Sequence, residues 1–295
     1  MDYKINDNLL KILDYNLNCY EFKKFKFDKG LFDETVDATY VINLIDNGRY
    51  ESAYKQLLEY KPTKEVYILL NQGFKKYNKT KHIVYPADDL NDAFLQIFRH
   101  AYNKNYDNIL ILEDDFIFHK EIKNKIHINN INNFLKEKQD EDFIYYLGCI
   151  PFLMLPNLSN LKHFIILLSG GMHSVIYSKK MRQNMMNNYK DIVFKYRDWD
   201  LNANSIKNRY VYYKSICYQL FPQTENSQYW GISNPIVYFL MSISKIIIKL
   251  LKLDKQVEPG YSILYGFSKS IIFILTIIFI YFIVTIIKKL KNKKI

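Results

Sequence analysis

Residues 106–118 read YDNILILEDDFIF. The segment NILILED (108–114) is a nearly continuous apolar run, the pattern of a strand covered on both faces of a sheet. It closes on three consecutive carboxylates, Glu113, Asp114 and Asp115, and then turns apolar again. Neighbouring anions repel one another, and each loses hydration if the strand end is covered. A metal ion, a substrate or bulk solvent at an exposed turn would each compensate them.

The flanking sequence alternates between short β-rich runs and helical stretches. TYVINLI (39–45), EVYILLN (65–71) and HIVYP (82–86) read as strands, and RYESAYKQLLEY (49–60) as an amphipathic helix. In LNDAFLQIFRHAYNK (90–104), Ala93, Ile97 and Ala101 share one helical face with Phe94 and Phe98 beside them. This rhythm predicts an α/β fold with a mixed, mostly parallel sheet. Ligands of such sheets bind beyond the carboxyl ends of the strands, where the acidic triplet lies.

Downstream, residues 127–139 read as helical, and DFIYYLGCI (142–150) and HFIILLSGG (163–171) as strands. MHSVIYSKKMRQNMMNNY (172–189) reads as a strand passing into a helix capped by Ser178. RYVYYKSICYQLF (209–221) is expected as one last strand before the polar loop PQTENSQYWGISN. Residues 1–38 are expected as an N-terminal extension, a helix followed by a charged connection.

Half the residues are apolar, with few Gly and Pro, which excludes disordered and fibrous classes. The net charge of +11 suggests nucleic acid until it is located. From residue 236 onward ten lysines face one aspartate and one glutamate, so +8 belongs to the tail and +3 to the other 235 residues. No nucleic-acid partner is expected, because phosphate-backbone affinity needs a clustered basic face. Cys19, Cys149 and Cys217 are far apart with no CxxC pair, which argues for reduced thiols in a cytosol-facing domain.

IIFILTIIFIYFIVTII (271–287) is seventeen residues without a charge. At about 1.5 Å per residue it reaches roughly 25 Å, the short end of a bilayer span. A membrane helix and a buried core helix are the two readings, and KKLKNKKI after it leaves nothing to cover a core helix. Upstream, Lys245, Lys249 and Lys252 share a helical face in 236–260, which suits an interfacial helix, a basic face against the protein body, or a second span. The first 30 residues contain no apolar run of signal-peptide length. The expected topology is therefore a single-pass C-terminal anchor at 261–295 with the domain at 39–235 facing the cytosol, on an endoplasmic-reticulum or viral membrane. Lysines third and fifth from the end resemble a dilysine retrieval signal.

A tight acidic cluster at a strand end supplies hard oxygen ligands, which favour Mg²⁺ or Mn²⁺ over zinc. Such an ion neutralises a departing diphosphate. The segment NILILEDDF resembles the metal-binding strand of nucleotide-sugar glycosyltransferases, and the chain is most similar to glycosyltransferase family 25, the lipopolysaccharide-type and procollagen galactosyltransferases. The resemblance covers residues 39–230 and rests on the order of four further pieces: YVINLIDNGR, SGGMHSVIYSKKM, YRDWDLN and FPQTENSQ. PADDLNDAF stands where the family often carries Gly–Cys–Ser–His.

That resemblance implies a GT-A type, Rossmann-like fold and inverting transfer of a hexose, galactose or glucose. The donor would be a UDP-sugar held with Mn²⁺ or Mg²⁺, and the acceptor a hydroxyl on a glycan, lipid or protein. It places Asp115 and Glu113 on the metal, and Glu113, Asp114, Asp115, Asn43, Arg49, Asp89, Gly170, Gly171 and His173 around the donor. An inverting enzyme needs a base for the acceptor hydroxyl. Asp198 and Asp200 are the candidates, with Asp198 preferred because Asp200 before LNANSIK is also a good helix cap.

Each of these residues also has an ordinary reading. Asp88 and Asp89 could cap the helix near Leu90, His173 could be a satisfied core histidine, Gly170 and Gly171 an ordinary turn, and Trp199 a core residue. At the level of function, the alternative is a catalytically inactive, membrane-tethered carbohydrate- or nucleotide-binding module.

Overall fold

The architecture is that of a computed structural model, which describes residues 5–221 and 235–292. Helix α1 (Asp7–Asn16) and strand β1 (Tyr20–Lys26) precede β2 (Ala38–Leu44), α2 (Tyr50–Tyr60) and β3 (Glu65–Asn71). Then come α3 (Pro86–Asn103), β4 (Asn108–Glu113), the short β5 (Phe116–Phe118) and α4 (Lys125–Glu137). A long hairpin, β6 (Ile144–Pro156) and β7 (His163–Ser178), leads into α5 (Lys179–Asn187), α6 (Tyr189–Ile192) and α7 (Trp199–Asn204). Strands β8 (Arg209–Tyr212) and β9 (Cys217–Gln219) and helices α8 (Pro235–Leu250) and α9 (Gly260–Asn292) follow.

Seven strands form one mixed sheet in the order β1-β3-β2-β4-β7-β6-β8, as the α/β reading required. The β3–β2–β4 centre and the β6–β8 pair are parallel, whereas β1 and β7 run antiparallel to their neighbours. Alternation along the central strands feeds two cores. Tyr40, Ile42, Ile109 and Ile111 face the layer containing α1, α3 and α7, while Val41, Leu110 and Leu112 face the layer of α2 and α4. Double coverage is why these strands read as unbroken apolar runs.

Three expectations are corrected. Residues 82–86 are not a strand: Asp88 turns back to accept the amides of Val84 and Tyr85 (3.1 and 3.0 Å), and Pro86 opens α3. Residues 209–221 split into β8 and β9, which join different sheets. Residues 1–38 are not an appendage, since β1 pairs along its whole length with β3 and forms the sheet edge. FPQTENSQ beyond Phe221 and the final KKI lie outside the described residues.

Helix α9 is long and apolar enough to cross a membrane, and nothing in the structure covers its most apolar eighteen residues. Ser270, Thr276 and Thr285 turn their hydroxyls onto the carbonyls of Gly266, Ile272 and Tyr281 at 2.8–2.9 Å. Their polar groups are thus satisfied within the helix, as a hydrocarbon surrounding requires. Its first turns behave otherwise. Tyr261, Leu264, Tyr265 and Ser268 are buried in the domain, so the expected division at residue 260 passes through a packed element.

One polar cluster ties the N-terminal segment to α3. The buried Lys79 ammonium pairs with Asp89 and also donates to Tyr20 (2.7 Å) and Asn71 (2.8 Å). Asp89 in turn accepts from Asn71 Nδ2 and the Phe74 amide, both at 3.2 Å. Removing one partner of such a pair strands a buried charge. Lys79→Met is expected to cost about 3–5 kcal/mol in urea unfolding, and adding Asp89→Asn should recover part of that loss.

Candidate functional site

Parallel β2 and β4 end side by side, and their loops meet at the acidic triplet. Asp114 is the joint. One of its oxygens accepts from Asn43 Nδ2 and the Leu44 amide, both at 3.3 Å, and from Asn47. The other accepts from Arg49 Nη1 at 2.9 Å. The β2–α2 loop can curl this tightly because Asp46 and Gly48 adopt left-handed backbone (φ 65° and 75°) and Asn47 Oδ1 accepts the Arg49 amide at 3.0 Å. Asp114 and Asn43 therefore hold the frame rather than present a ligand surface, contrary to the donor-site role expected of them.

Asp115 sits between two protein donors. Arg49 Nη1 reaches its Oδ2 at 3.0 Å, and Gln219 Nε2 reaches its Oδ1 at 2.8 Å. The same Gln219 amide is 3.4 Å from Glu113 Oε2. Gln219 arrives through the small β5/β9 sheet, in which it lies opposite Phe116, one residue past Asp115. Sequence reasoning missed it, since a lone glutamine at a strand end carries no signal until β9 is known to pair with β5. Arg49, expected at the donor site, bridges two carboxylates there.

The third contribution comes from α7 and β7. Asp200 Oδ2 accepts the Gly171 amide at 2.9 Å, where Gly171 has left-handed backbone (φ 78°). Gly170 adjoins the same carboxylate: a Cβ there would lie in ordinary contact with Asp200 Oδ2 at 3.8 Å and with the Phe152 ring at 3.6 Å. Asn204 locks α7 to β7 by exchanging hydrogen bonds with the Ser169 backbone (3.1 and 2.8 Å), and the buried Arg209 braces Asn204 at 2.6 Å. The small-residue cluster thus seats Asp200.

The two base candidates exchange roles. Asp198, not Asp200, caps α7, its Oδ1 accepting the Leu201 amide at 3.2 Å. Asp200 sits one turn-position further on and faces the acidic cluster, adding its charge to that felt by Glu113. Trp199 is core: it stacks on Phe94 at 4.1 Å and donates to Tyr177 at 2.9 Å. His173 is also structural in its bonding, with Nε2 3.2 Å from the Cys217 carbonyl, and burial lowers its pKa to about 4. Asp89 belongs to the Lys79 pair and takes no part in this site.

The electrostatics follow from crowding. Burial, then Asp115, Asp200 and Asp114, push the Glu113 carboxyl well above its ordinary range, against the pull of Arg49. Burial lifts Asp115 to about 6 although Arg49 and Gln219 oppose it. Burial and the neighbouring Asp198 lift Asp200 to about 7, against the Gly171 and Met172 amides. Arg49 is raised despite burial, because Asp115 and Asp114 favour its charge. Among the described residues, Arg49 is the one cation in direct contact with this group of carboxylates.

Hard, crowded carboxylate oxygens with a charge deficit suit Mg²⁺ or Mn²⁺ in donor type. Among the described residues no three His, Cys, Asp or Glu side chains already converge as a cation cage. Both oxygens of Asp115 already accept from Arg49 and Gln219, so an ion held by Glu113 and Asp115 would need ligand oxygens and water to complete it.

Helix α9 reaches this site. Tyr261 is fully buried, and its hydroxyl bonds both the amide and the carbonyl of Gln219 at 3.1 Å. Two cavities of about 300 and 390 Å³ lie along the first turns of α9 rather than over the acids.

No family model matches the chain, and no curated protein matches it. Among solved structures it is similar to A197 from STIV, at 11% identity and a TM-score of 0.35 over 64% of this chain and 86% of that one. It is also similar to HddC from Yersinia pseudotuberculosis, at 10% identity and a TM-score of 0.29 over 72% and 80%. Likeness at these scores carries no functional argument, and the reading of the site rests on its own geometry.

Two measurements check this geometry. Ionised Asp200 is disfavoured in the folded state, so wild-type stability falls as pH rises from near 3.8 through about 7. With divalent cations chelated, the melting temperature of Asp200→Asn should gain on wild type across that window, and a constant difference would refute the assignment. Tyr261→Phe leaves the Gln219 backbone without its partner and is expected to cost about 1–3 kcal/mol in urea unfolding.

Proposed function

We propose that the chain is a metal-dependent glycosyltransferase of GT-A type, moving a hexose from a UDP-sugar to a hydroxyl acceptor while α9 holds it on a membrane. One observation carries this reading. Carboxylates from the end of β4 and from α7 feel one another's charge at the carboxyl ends of parallel strands, with the Arg49 guanidinium on Asp114 and Asp115.

In this reading Glu113 and Asp115 would hold Mn²⁺ or Mg²⁺, whose chemistry is to neutralise the diphosphate leaving group. Asp114 and Asn43 keep the two strand ends together. Arg49, already paired with Asp115, orients that carboxylate and adds positive charge where phosphate would lie. Asp200, lifted to about 7, is the base that takes the acceptor proton at Oδ1 or Oδ2. Gly170 lies beside that carboxylate, with the Phe152 ring also close to it. The paired strand ends and the GT-A assignment agree with the general placement of ligands in such sheets.

A second reading draws on a specific observation. Both oxygens of Asp115 are taken by protein donors. An inactive binding module would keep them so.

The full chain in detergent or nanodiscs should release UDP from UDP-glucose or UDP-galactose with Mn²⁺ or Mg²⁺ and not with chelator. Asp115→Asn should lower turnover at least about 100-fold, and Asp200→Asn by about 10²–10⁴-fold. Asp198→Asn should stay close to wild type, since asparagine caps a helix as well as aspartate. Full metal-dependent turnover in Asp115→Asn would remove the proposed site. Calorimetric binding of UDP-sugar without UDP release over a broad acceptor panel would establish the module instead.

A further inference from the structure

The tip of the β6–β7 hairpin carries apolar side chains with nothing over them. Leu158 and Leu161 are 87% and 68% exposed, and Ile126 at the start of α4 is 63% exposed. The course of α9 shows what lies beside this corner. Tyr261 meets Gln219, Tyr265 meets Cys149 (Oη to Sγ 4.0 Å), and the Lys269 ammonium lies over the rings of Phe164 and Tyr213 at 5.6 and 5.5 Å. Phe164 pairs with Pro156 at the far end of β6. The helix therefore runs along β6 toward the hairpin tip, and its uncovered apolar stretch from Ile271 begins as it passes that tip.

Ile126, Leu161, Lys162, Tyr213 and Lys269 line one cavity of about 390 Å³. Lys162 reaches only an amide oxygen, that of Asn130 at 3.4 Å, and Lys269 only aromatic rings. Neither ammonium has a carboxylate within ion-pair distance among the described residues. Apolar tips, two uncompensated lysines and aromatic rings at one level are the make-up of a surface seated at the headgroup boundary.

We propose that this corner is a membrane contact specific for anionic phospholipid. The hairpin tip and Ile126 enter the boundary between headgroups and acyl chains beside α9, and Lys162 and Lys269 hold a lipid phosphate in the cavity between them. The argument is continuity of apolar surface with α9, together with charge complementarity to an anionic leaflet. It rests on α9 crossing the bilayer and is independent of the transferase reading.

The native cysteines are buried, so single cysteines can be spin-labelled. Leu158→Cys, Leu161→Cys, Ile278→Cys on the span and Tyr77→Cys on an exposed loop would be made in the full chain. Each would be reconstituted in vesicles of phosphatidylcholine and phosphatidylglycerol. Labels at 158, 161 and 278 should collide with oxygen and be shielded from a water-soluble nickel chelate, while the label at 77 meets nickel freely. Spin-labelled phosphatidylglycerol should be retained severalfold over phosphatidylcholine, and Lys162→Gln with Lys269→Gln should abolish that preference.

Nickel access at 158 and 161 equal to that at 77, with 278 shielded, overturns the proposal and leaves the span. Nickel access at 278 as well removes both. Absence of lipid preference in the native chain overturns the phosphate site. Spin–spin broadening at 158 that depends on protein concentration would assign the face to a second copy and overturn it too.

Discussion

Glu113, Asp115 and Asp200 are carboxylates whose charged forms are disfavoured by loss of water and by neighbouring acids. Each is pushed up from its ordinary range, and among the described residues Arg49 is the cation in contact with Asp115. Loss of water around a carboxylate is tolerated only where something is gained from it. The surrounding structure is arranged to maintain that crowding. Asp114 clamps the ends of β2 and β4, β5/β9 delivers Gln219, and Asn204 and Arg209 press α7 against the glycines of β7.

The same logic links site and anchor. Tyr261 belongs to the helix whose later turns are bare and apolar, yet it holds the backbone of Gln219, whose side chain holds Asp115. Two hydrogen-bonded steps therefore join the base of the apolar helix to the acidic cluster. A domain severed ahead of Tyr261 would lose a wall of its own core, because Leu264 and Tyr265 are buried there too. The α/β domain and the apolar helix share residues.

Much of the fold was legible in the residues. The central strands are covered on both faces, so β2, β3 and β4 read as apolar runs close to their true limits, and Ser178 caps α5 as expected, accepting the Met181 amide at 3.2 Å. Local patterns misled where a polar side chain overrode them. Asp88 bends residues 82–86 into a turn, and the break at 213–216 sends β9 to a different partner from β8. Charged β1 was missed because Phe22 and Phe25 are three residues apart and pack on opposite faces, so its lysines leave no period-two apolar row.

The acidic triplet, the glycines at 170 and 171, the Asp198–Asp200 pair and the terminal apolar helix are facts of sequence, because each depends on residue type and short spacing. Which aspartate caps and which one faces the cluster depended on where α7 begins, a matter of two residues that helix propensity does not resolve. That Arg49 and Gln219 grip Asp115, that Asp89 serves Lys79, and that Tyr261 braces the site depended on contacts across 10 to 104 positions of chain. Spacing along a chain sets local geometry, whereas the meeting of distant side chains is set by how the strands are ordered and the layers packed.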